Sequence, residues 1–341
     1  MQNLSPAYFG MAMATGIVGI DAYVLGLTTL GQALLALNVV LYALLWTLNL
    51  VRLVRYRRAF FDDMFDHLRG PGFFTSVAAT GVLGSQLVVL TQSHRAAAAL
   101  WVIAAVLWLV LTYAIFAALT VKEDKPSLDR GLNGGWLLAV VGTQSIAVLS
   151  ALVAPHLAQP HRLALNFIAL SMWLWGGMLY IWMMSLIFYR YTFFRFAPGD
   201  LAPPYWINMG AMAISTLAGS LLILNAADAP LLVSLLPFLK GFTILYWATG
   251  TWWIPMLLVL AAWRYGYKRF PLKYDPLYWG AVFPLGMYAA GTFYMNDALD
   301  LKFLAAVPPI FFYVAMAAWT AAFIGAVFDV ARRLRPAARV N

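Results

Sequence analysis

The residues that could do chemistry in this sequence are few, and their positions argue against catalysis. The chain has no cysteine, which excludes disulfides and thiolate metal sites. It has no HExxH motif, P-loop or Rossmann glycine pattern, and no Ser-His-Asp set can be assembled. Its histidines stand in or beside the connections between apolar segments, so no pair can hold a haem or a metal inside a helix bundle. We therefore expect no enzymatic function, no cofactor and no metal. The histidines are His67, His94, His156 and His161.

Two ionisable residues, Asp21 and Lys240, stand inside long apolar segments, where a charge is costly unless it is compensated. Three interpretations are open. The two side chains could pair, Lys240 could attract anions to the outer mouth of a transport path, or its ammonium could reach the lipid headgroups. No carboxylate or histidine relay is evident near the middle of the membrane. This favours a passive path over a proton-coupled carrier.

The elements that must position these residues are long apolar segments. Of the 341 residues, 63% are hydrophobic and 10% are charged, and the mean hydropathy is +0.80. A soluble domain carries about 25% charged residues. Ten segments can each cross a hydrocarbon core of about 30 Å, and their connections are short. The sequence therefore predicts one transmembrane domain, all-α, with the lipid bilayer as its surroundings. The segments are 6–27, 30–54, 71–91, 96–121, 134–154, 162–188, 203–224, 231–263, 276–295 and 304–331.

The eighth segment is long enough to be tilted or broken, and we expect Pro237 and Pro255 to mark the kinks.

The basic residues predict the orientation of the chain. Of the 22 Lys and Arg residues, eighteen follow even-numbered segments or lie in the C-terminal tail, and three lie in the opposite connections. Short connections rich in Lys and Arg stay on the cytoplasmic side of a membrane. We expect both termini in the cytoplasm, with the bacterial inner membrane as the location. The formal net charge of +9 does not indicate a partner nucleic acid, because the basic residues lie in these short connections and do not form a patch on a soluble domain.

The odd-numbered segments share an opening, in most copies a proline followed by two aromatic residues. The starts are 65, 63, 69 and 73 residues apart, which is one helical hairpin each time. Proline suits a first helical turn, and aromatic pairs suit a membrane interface. Although any helix that starts at this interface could show these residue types, five copies at a hairpin period favour internal repetition. The copies begin at Pro6, Pro71, Gly134, Pro203 and Pro276.

The two classes of segment also differ in composition. Odd segments carry small and hydroxylated residues, as in 10–16 and 210–216, whereas even segments are mostly Leu, Val, Ala, Ile and Trp. Small residues let helix backbones approach closely, and bulky apolar residues face lipid comfortably. The pattern predicts odd helices inside and even helices outside. The alternative is that the small residues serve helix packing alone.

Two stretches resemble a known family. The run Tyr8-Phe-Gly-Met-Ala-Met-Ala-Thr-Gly-Ile-Val18 is similar to the first helix of the tellurite-resistance/dicarboxylate transporter family, and Pro204-Tyr-Trp-Ile-Asn-Met-Gly-Ala-Met-Ala-Ile214 resembles its seventh. This family includes plant slow-type anion channels, bacterial tellurite-resistance proteins, yeast malate permeases and fungal sulfite exporters. The similarity covers essentially the whole chain. It implies five tandem helical hairpins around a pseudo-five-fold central pore, and a homotrimer with one pore per subunit.

The resemblance also implies a phenylalanine that plugs the pore from the ninth helix, and Phe283 in Trp279-Gly-Ala-Val-Phe283-Pro284 matches it. Five helices about 9 Å apart leave a hole of roughly 3 Å radius, which one phenyl ring would close. Ordinary core packing is the alternative role of this ring. Seven residues after each opening stand Met13, Ala78, Val141, Gly210 and Phe283. Further lining candidates are Thr15, Gly16, Thr80, Gly81, Gln86, Thr143, Gln144, Asn208, Ser215, Pro284 and Thr292.

The leading hypothesis is an anion channel or exporter gated by Phe283. The second is a proton-coupled carrier of C4-dicarboxylates, or of tellurite or sulfite. Lining hydroxyls and amides would solvate an anion weakly, without a fixed charge to trap it. The sequence does not identify the anion, because chloride, nitrate, sulfite, tellurite and C4-dicarboxylates all occur as substrates in the family it resembles. The expected partners are small inorganic or carboxylate anions.

Overall fold

The computed structural model of the chain describes residues 1–334, without the side chains of Asp228, Arg333 and Leu334. The tail residues Arg335 and Arg339, which enter the orientation prediction, lie outside the described residues. Every regular element in the described range is helical. The ten long helices are α1 Phe9–Val24, α2 Thr28–Arg55, α3 Phe74–Thr91, α4 His94–Val121, α5 Leu138–Val153, α6 His161–Phe193, α7 Ile207–Leu224, α8 Leu236–Ala261, α9 Trp279–Leu299 and α10 Val307–Leu334.

Each of the five repeated openings folds as a 3-10 turn that leads directly into an odd-numbered helix. Proline needs no partner for its missing N–H in such a turn. In three copies the preceding residue caps the turn: Ser5, Asn133 and Asp275 each accept a hydrogen bond from a backbone N–H two residues later. The turns are Pro6–Tyr8, Gly70–Phe73, Gly134–Leu137, Pro203–Trp206 and Pro276–Tyr278.

The eighth segment is broken, as its length suggests, and the break lies beside Pro237. A short helix, Pro230–Ser234, is separated from α8 by one residue, Leu235. Pro237 stands in the first turn of α8, a position where its missing N–H needs no partner. Pro255 lies inside α8, and a π-helical turn over Ala262–Tyr267 follows the helix.

The odd-numbered helices are the buried ones. In the apolar 18-residue stretch of the span Pro203–Ala227, 94% is buried, whereas 22% is buried in that of the span His94–Val121. Along the chain each odd helix packs against the next one, and α9 packs against α1. Each even helix packs against the odd helix before it and against the odd helix after it, and α10 contacts α1 in this way. The small residues of the odd helices permit these close contacts.

A hydrogen bond of one recurring type joins each even helix to the following odd helix. An indole N–H, or in one case a tyrosine hydroxyl, donates to a hydroxyl or a carbonyl oxygen on that odd helix. The last of these bonds joins α10 to α1, the two ends of the described chain. Each bond fixes which face of the even helix contacts the following odd helix. The pairs are Tyr42–Thr80, Trp108–Thr143, Trp173–Ser215, Trp247–Thr292 and Trp319–Thr15.

Within residues 1–334, nine helices are long and apolar enough to cross a membrane. The chain is therefore an all-helical membrane protein, as its composition predicts. The tenth long helix, α9, is not among the nine. Its sequence contains Gly, Pro and Tyr, which lower its hydropathy. Because α9 packs against α1, α7 and α10, it has little need of a lipid-compatible surface.

Candidate functional site

Two small cavities lie between the odd-numbered helices, and all five helices or their opening turns contribute to each. The first, here called the N-side cavity, lies near the N-terminal ends of these helices. Its volume of about 20 Å³ holds one or two water molecules. No side chain in its lining is ionisable. The lining is Ala7, Gly10, Met13, Thr75, Leu138, Pro204, Ile207, Pro276, Leu277 and Gly280.

The second, here called the mid-helix cavity, is lined by residues one to two helical turns further along. Its volume of about 10 Å³ has room for about one water molecule. Its polar groups are two serine hydroxyls, and each donates to a carbonyl four residues earlier in its own helix. An approaching anion would compete with those carbonyls for the protons. The lining is Ile17, Ile20, Gly81, Val82, Ser85, Ser145, Val148, Ile214, Leu217 and Met287.

Of the five residues seven places after each opening, Met13 lines the N-side cavity, and the other four lie along their helices between the lining residues of the two cavities. On α9, for example, Gly280 lines the N-side cavity and Met287 lines the mid-helix cavity, with Phe283 between them. The rise of an α-helix places Phe283 about 5 Å along the axis from each. The corresponding residues of the other helices, Met13, Ala78, Val141 and Gly210, are buried as well. One aromatic ring thus stands at the level where the two cavities are separated.

Gly210 and Pro284 fix the backbone of α9 against α7 at this level. A β-carbon on Gly210 would lie 2.6 Å from Pro284 Cγ, so only glycine fits beside this proline. The close contact holds the residue before it, Phe283, at a defined distance from α7. The Phe283 side chain is fully buried.

The predicted lining hydroxyls of Thr15, Thr80 and Thr143 face the even helices. Each donates its proton to a carbonyl four residues earlier and accepts a hydrogen bond from an even helix. Thr292 is bound in the same two ways. The Ser215 hydroxyl donates to Ala211, while its carbonyl accepts from α6. The four threonine hydroxyls are therefore hydrogen-bonded between helices, and Ser215 is bonded to α6 through its carbonyl.

The predicted amides also contact neighbouring helices. Gln144 donates to the carbonyl of Trp173 at 3.0 Å. Gln86 accepts from Asn38 at 2.6 Å, and a β-carbon on Gly16 would meet both of these side chains. Asn208 donates to the hydroxyl of Tyr191. Gly81, by contrast, lines the mid-helix cavity and lies against the backbone of Ser145 on α5.

Asp21 and Lys240 do not pair. Lys240 is exposed on α8, whereas Asp21 is 1% exposed on α1. Both carboxyl oxygens of Asp21 are buried without a hydrogen-bond partner, and Oδ2 lies 3.1 Å from the position of a β-carbon on Gly286. The interpretation that these two charges compensate each other is wrong, because α8 presents Lys240 to its outer surface.

Three polar cavity residues escaped the prediction from sequence: Thr75, Ser85 and Ser145. Helical periodicity could have found them. Thr75 precedes Ala78 by three residues and Ser145 follows Val141 by four, so each shares a face with the residue at the level of Phe283. Ser85 follows Ala78 by seven residues, which is two turns on the same face. The lining candidates predicted from sequence were chosen by residue type and not by helix face.

Comparison with known proteins agrees with the architecture. Residues 3–327 match the family model SLAC1, described as voltage-dependent anion channel. The chain is 36% identical over 153 residues to an uncharacterized membrane protein of Mycobacterium tuberculosis, which covers 45% of this chain and 77% of that protein. It is 26% identical over 302 residues to an uncharacterized transporter of Methanocaldococcus jannaschii, covering 86% and 84%. It is 23% identical over 358 residues to a sulfite efflux pump of Trichophyton rubrum, covering 96% and 91%.

Proposed function

Since the chain belongs to the SLAC1 family of voltage-dependent anion channels, we propose that it conducts small anions through a pore along the axis of the five odd-numbered helices. Membership confirms the resemblance seen in the motifs of α1 and α7, and makes the protein a membrane channel or transporter and not an enzyme. The proposed arrangement is five helical hairpins around a pseudo-five-fold axis. The cyclic contacts of the odd helices support it.

The observation that carries the proposal is the pair of cavities lined by all five odd helices. We infer that they lie along one axis and that the level of Phe283 separates them, because on α9 Gly280 lines one cavity and Met287 the other. We propose that this ring is the gate of the pore. In the described conformation the path is closed, since each cavity holds only one or two waters.

The proposed lining of the pore includes the cavities and the level between them. Of the predicted residues, Met13 and Gly81 line the cavities, Ala78, Val141 and Gly210 stand at the level between them, and Pro284 is the packing partner that positions the gate. The hydroxyls of Thr75, Ser85 and Ser145 join it as weak anion contacts. Thr15, Gly16, Thr80, Thr143, Gln144 and Ser215 serve instead to join helices. Lys240, exposed on α8, is proposed only to raise the local positive potential.

Anion flux from liposomes that contain the purified protein tests this function. The panel includes chloride, nitrate, malate and sulfite; sulfite is chosen because relatives are named sulfite efflux pumps. We expect flux down the anion gradient at a rate that an imposed pH gradient does not change. Protein-free liposomes provide the background. No flux above background for any anion would contradict the proposal.

A second candidate function, proton-coupled carriage, is favoured by Asp21. An unpartnered ionised carboxylate is costly to bury, so a buried carboxyl on an axis helix is a natural site to take up and release a proton. Asp21, one of the two ionisable residues inside the apolar segments, would be that site. Strict dependence of flux on the pH gradient would favour the carrier over the channel.

A further inference from the structure

Three of the even helices end in a buried arginine, on the side where the odd helices begin. Arg52 is at the end of α2, Arg190 near the end of α6, and Arg264 in the π-helical turn after α8. They are 1%, 6% and 7% exposed. A buried guanidinium must be paired or hydrogen-bonded to offset its desolvation. The partners of these three guanidinium groups can therefore be compared within one molecule.

The first two arginines each have a carboxylate partner and carbonyl acceptors in their own chain, and of these two only Arg52 keeps a buried nitrogen, Nη1, without a partner. Arg52 pairs with Asp63 and donates to the carbonyls of Gln2 and Ala59 at 3.1 and 3.2 Å. Arg190 lies 3.5 Å from Asp200 and donates to the carbonyl of Asp129 at 2.9 Å. In each case the acid follows the arginine by ten or eleven residues. The connection after the helix supplies the counter-charge.

Arg264 lacks these partners. Asp275 follows it by eleven residues, but this carboxylate is exposed and accepts from the N–H of Leu277 at 2.8 Å, capping the turn before α9. Among the described residues, no hydrogen bond or ion pair engages the Arg264 guanidinium, and its Nε is buried without a partner. It packs against the rings of Tyr265 and Phe270, with its Cζ 5.1 and 4.2 Å from their centroids. This third arginine is a buried cation without an anionic partner among the described residues.

A cavity beside Arg264 has the room that a partner needs. Its volume of about 170 Å³ is roughly ten times that of one water molecule. It is lined by Arg264, Tyr205, Trp206, Tyr265 and Tyr278 together with aliphatic residues, and the hydroxyls of Tyr265 and Tyr278 are 3.0 Å apart. None of its lining residues lines the N-side cavity. The site is therefore a different cavity from those proposed for the pore, and Phe283 does not line it.

We propose that Arg264 and this cavity form a binding site for a phosphate-type oxyanion, supplied either by a phospholipid headgroup or by a free anion. Guanidinium recognises planar pairs of oxygens through two parallel N–H donors, which makes arginine a preferred phosphate ligand. The tyrosine hydroxyls offer further donors, and the aliphatic lining suits acyl chains. The missing internal carboxylate is thereby replaced by an external anion.

The test uses the purified full chain in a neutral detergent. Thermal stability is measured with inorganic phosphate, with phosphatidylglycerol and with phosphatidylcholine, and bound lipid is counted by native mass spectrometry. The variants are Arg264→Gln, Arg264→Lys and Arg269→Gln, the last of which removes an exposed arginine from the same connection. Arg52→Gln serves as the comparison in which an internally paired arginine is lost.

We expect phosphate or phosphatidylglycerol to stabilise the parent and Arg269→Gln. Arg264→Gln should bind the same probe about tenfold or more weakly, because it loses a charge-assisted contact. Without ligand, Arg264→Gln should unfold at the parent's temperature or above, whereas Arg52→Gln should unfold lower. If Arg264→Gln fails to fold, weaker binding by Arg264→Lys carries the test. A response to phosphate identifies a free anion, and a response to phosphatidylglycerol alone identifies a headgroup. No response to either, or an equal response in parent and Arg264→Gln, overturns the proposal.

Discussion

Phe283 carries the one aromatic ring among the five residues that stand seven places after the openings, and we propose that it separates the two cavities. If the ring is a gate, Phe283→Ala should fold and raise anion conductance well above the parent, because the other residues at this level leave an open path. If the ring is core, truncation should cost about 3–5 kcal/mol of stability and open nothing. Electrophysiology or liposome flux measures conductance, and thermal unfolding measures stability.

Phe74 offers a matched control for this substitution. It is 1% exposed, packs toward Phe116 of α4 and lines neither of the two cavities. Phe74→Ala should therefore lose stability without gaining conductance. Phe283→Leu should conduct at an intermediate level, since leucine is smaller and lacks a flat face. Equal conductance in the parent and Phe283→Ala, with intact protein in the membrane, would rule out the gate.

Asp21 decides between channel and carrier at the level of one side chain. Asp21→Asn keeps the size of the group but removes the proton that it could carry. For a channel, flux down an anion gradient should be unchanged in the variant, with or without a pH gradient. For a carrier, transport driven by a pH gradient should fall to background. Flux of the parent and the variant under matched anion gradients gives the answer, and loss of both types of flux would make Asp21 structural.

At the scale of elements, glycines set the distance between the odd helices. A β-carbon on Gly291 of α9 would lie 2.7 Å from the carbonyl oxygen of Ala213 on α7, and backbone cannot yield cheaply. We expect Gly291→Ala to cost about 1–3 kcal/mol, as overpacking does. Gly241 on α8 has open space around it, so Gly241→Ala should be neutral or stabilise by up to about 1 kcal/mol. Thermal unfolding in detergent compares the two. A loss of equal size in both variants would contradict close packing of α7 and α9.

Helix existence could be predicted from the sequence, because a run of apolar residues and a proline opening act locally. The predicted spans and the observed helices differ at their ends by a few residues, as at α9, which runs from Trp279 to Leu299 where 276–295 was expected. The break before α8 lies two residues before Pro237, close to where the sequence predicted a kink. Proline disfavours helical geometry in the residue before it and fits the first turn of a new helix, so this break has a local cause.

At the scale of the whole molecule, the cysteine-free chain permits a direct test of orientation. Lys302 is 89% exposed after α9, and Lys268 is exposed after α8. If both termini are cytoplasmic, a membrane-impermeant maleimide should label Lys302→Cys in intact cells and label Lys268→Cys only after lysis. The parent chain, which lacks cysteine, gives the background. The opposite labelling pattern would invert the proposed topology.

The proposed homotrimer, with one pore in each subunit, rests on family resemblance. The even helices present large exposed apolar side chains, such as Trp182 and Trp252, that suit lipid or a second subunit equally. We expect a trimer in a mild detergent, measured by native mass spectrometry or by light scattering. A stable monomer or dimer at every protein concentration would remove the proposal.

The sequence by itself determined the membrane class, the ten helical segments and the level of Phe283 on the odd helices. These follow from hydropathy and from helical periodicity, which are properties of the chain over one or two turns. Only the tertiary structure decided which polar groups meet. The rotation of each helix sends the Thr15, Thr80 and Thr143 hydroxyls to the even helices and leaves Asp21 unpartnered. The path of one connection leaves Arg264 without a carboxylate. Such pairings depend on contacts between segments distant in sequence, and no local pattern records them.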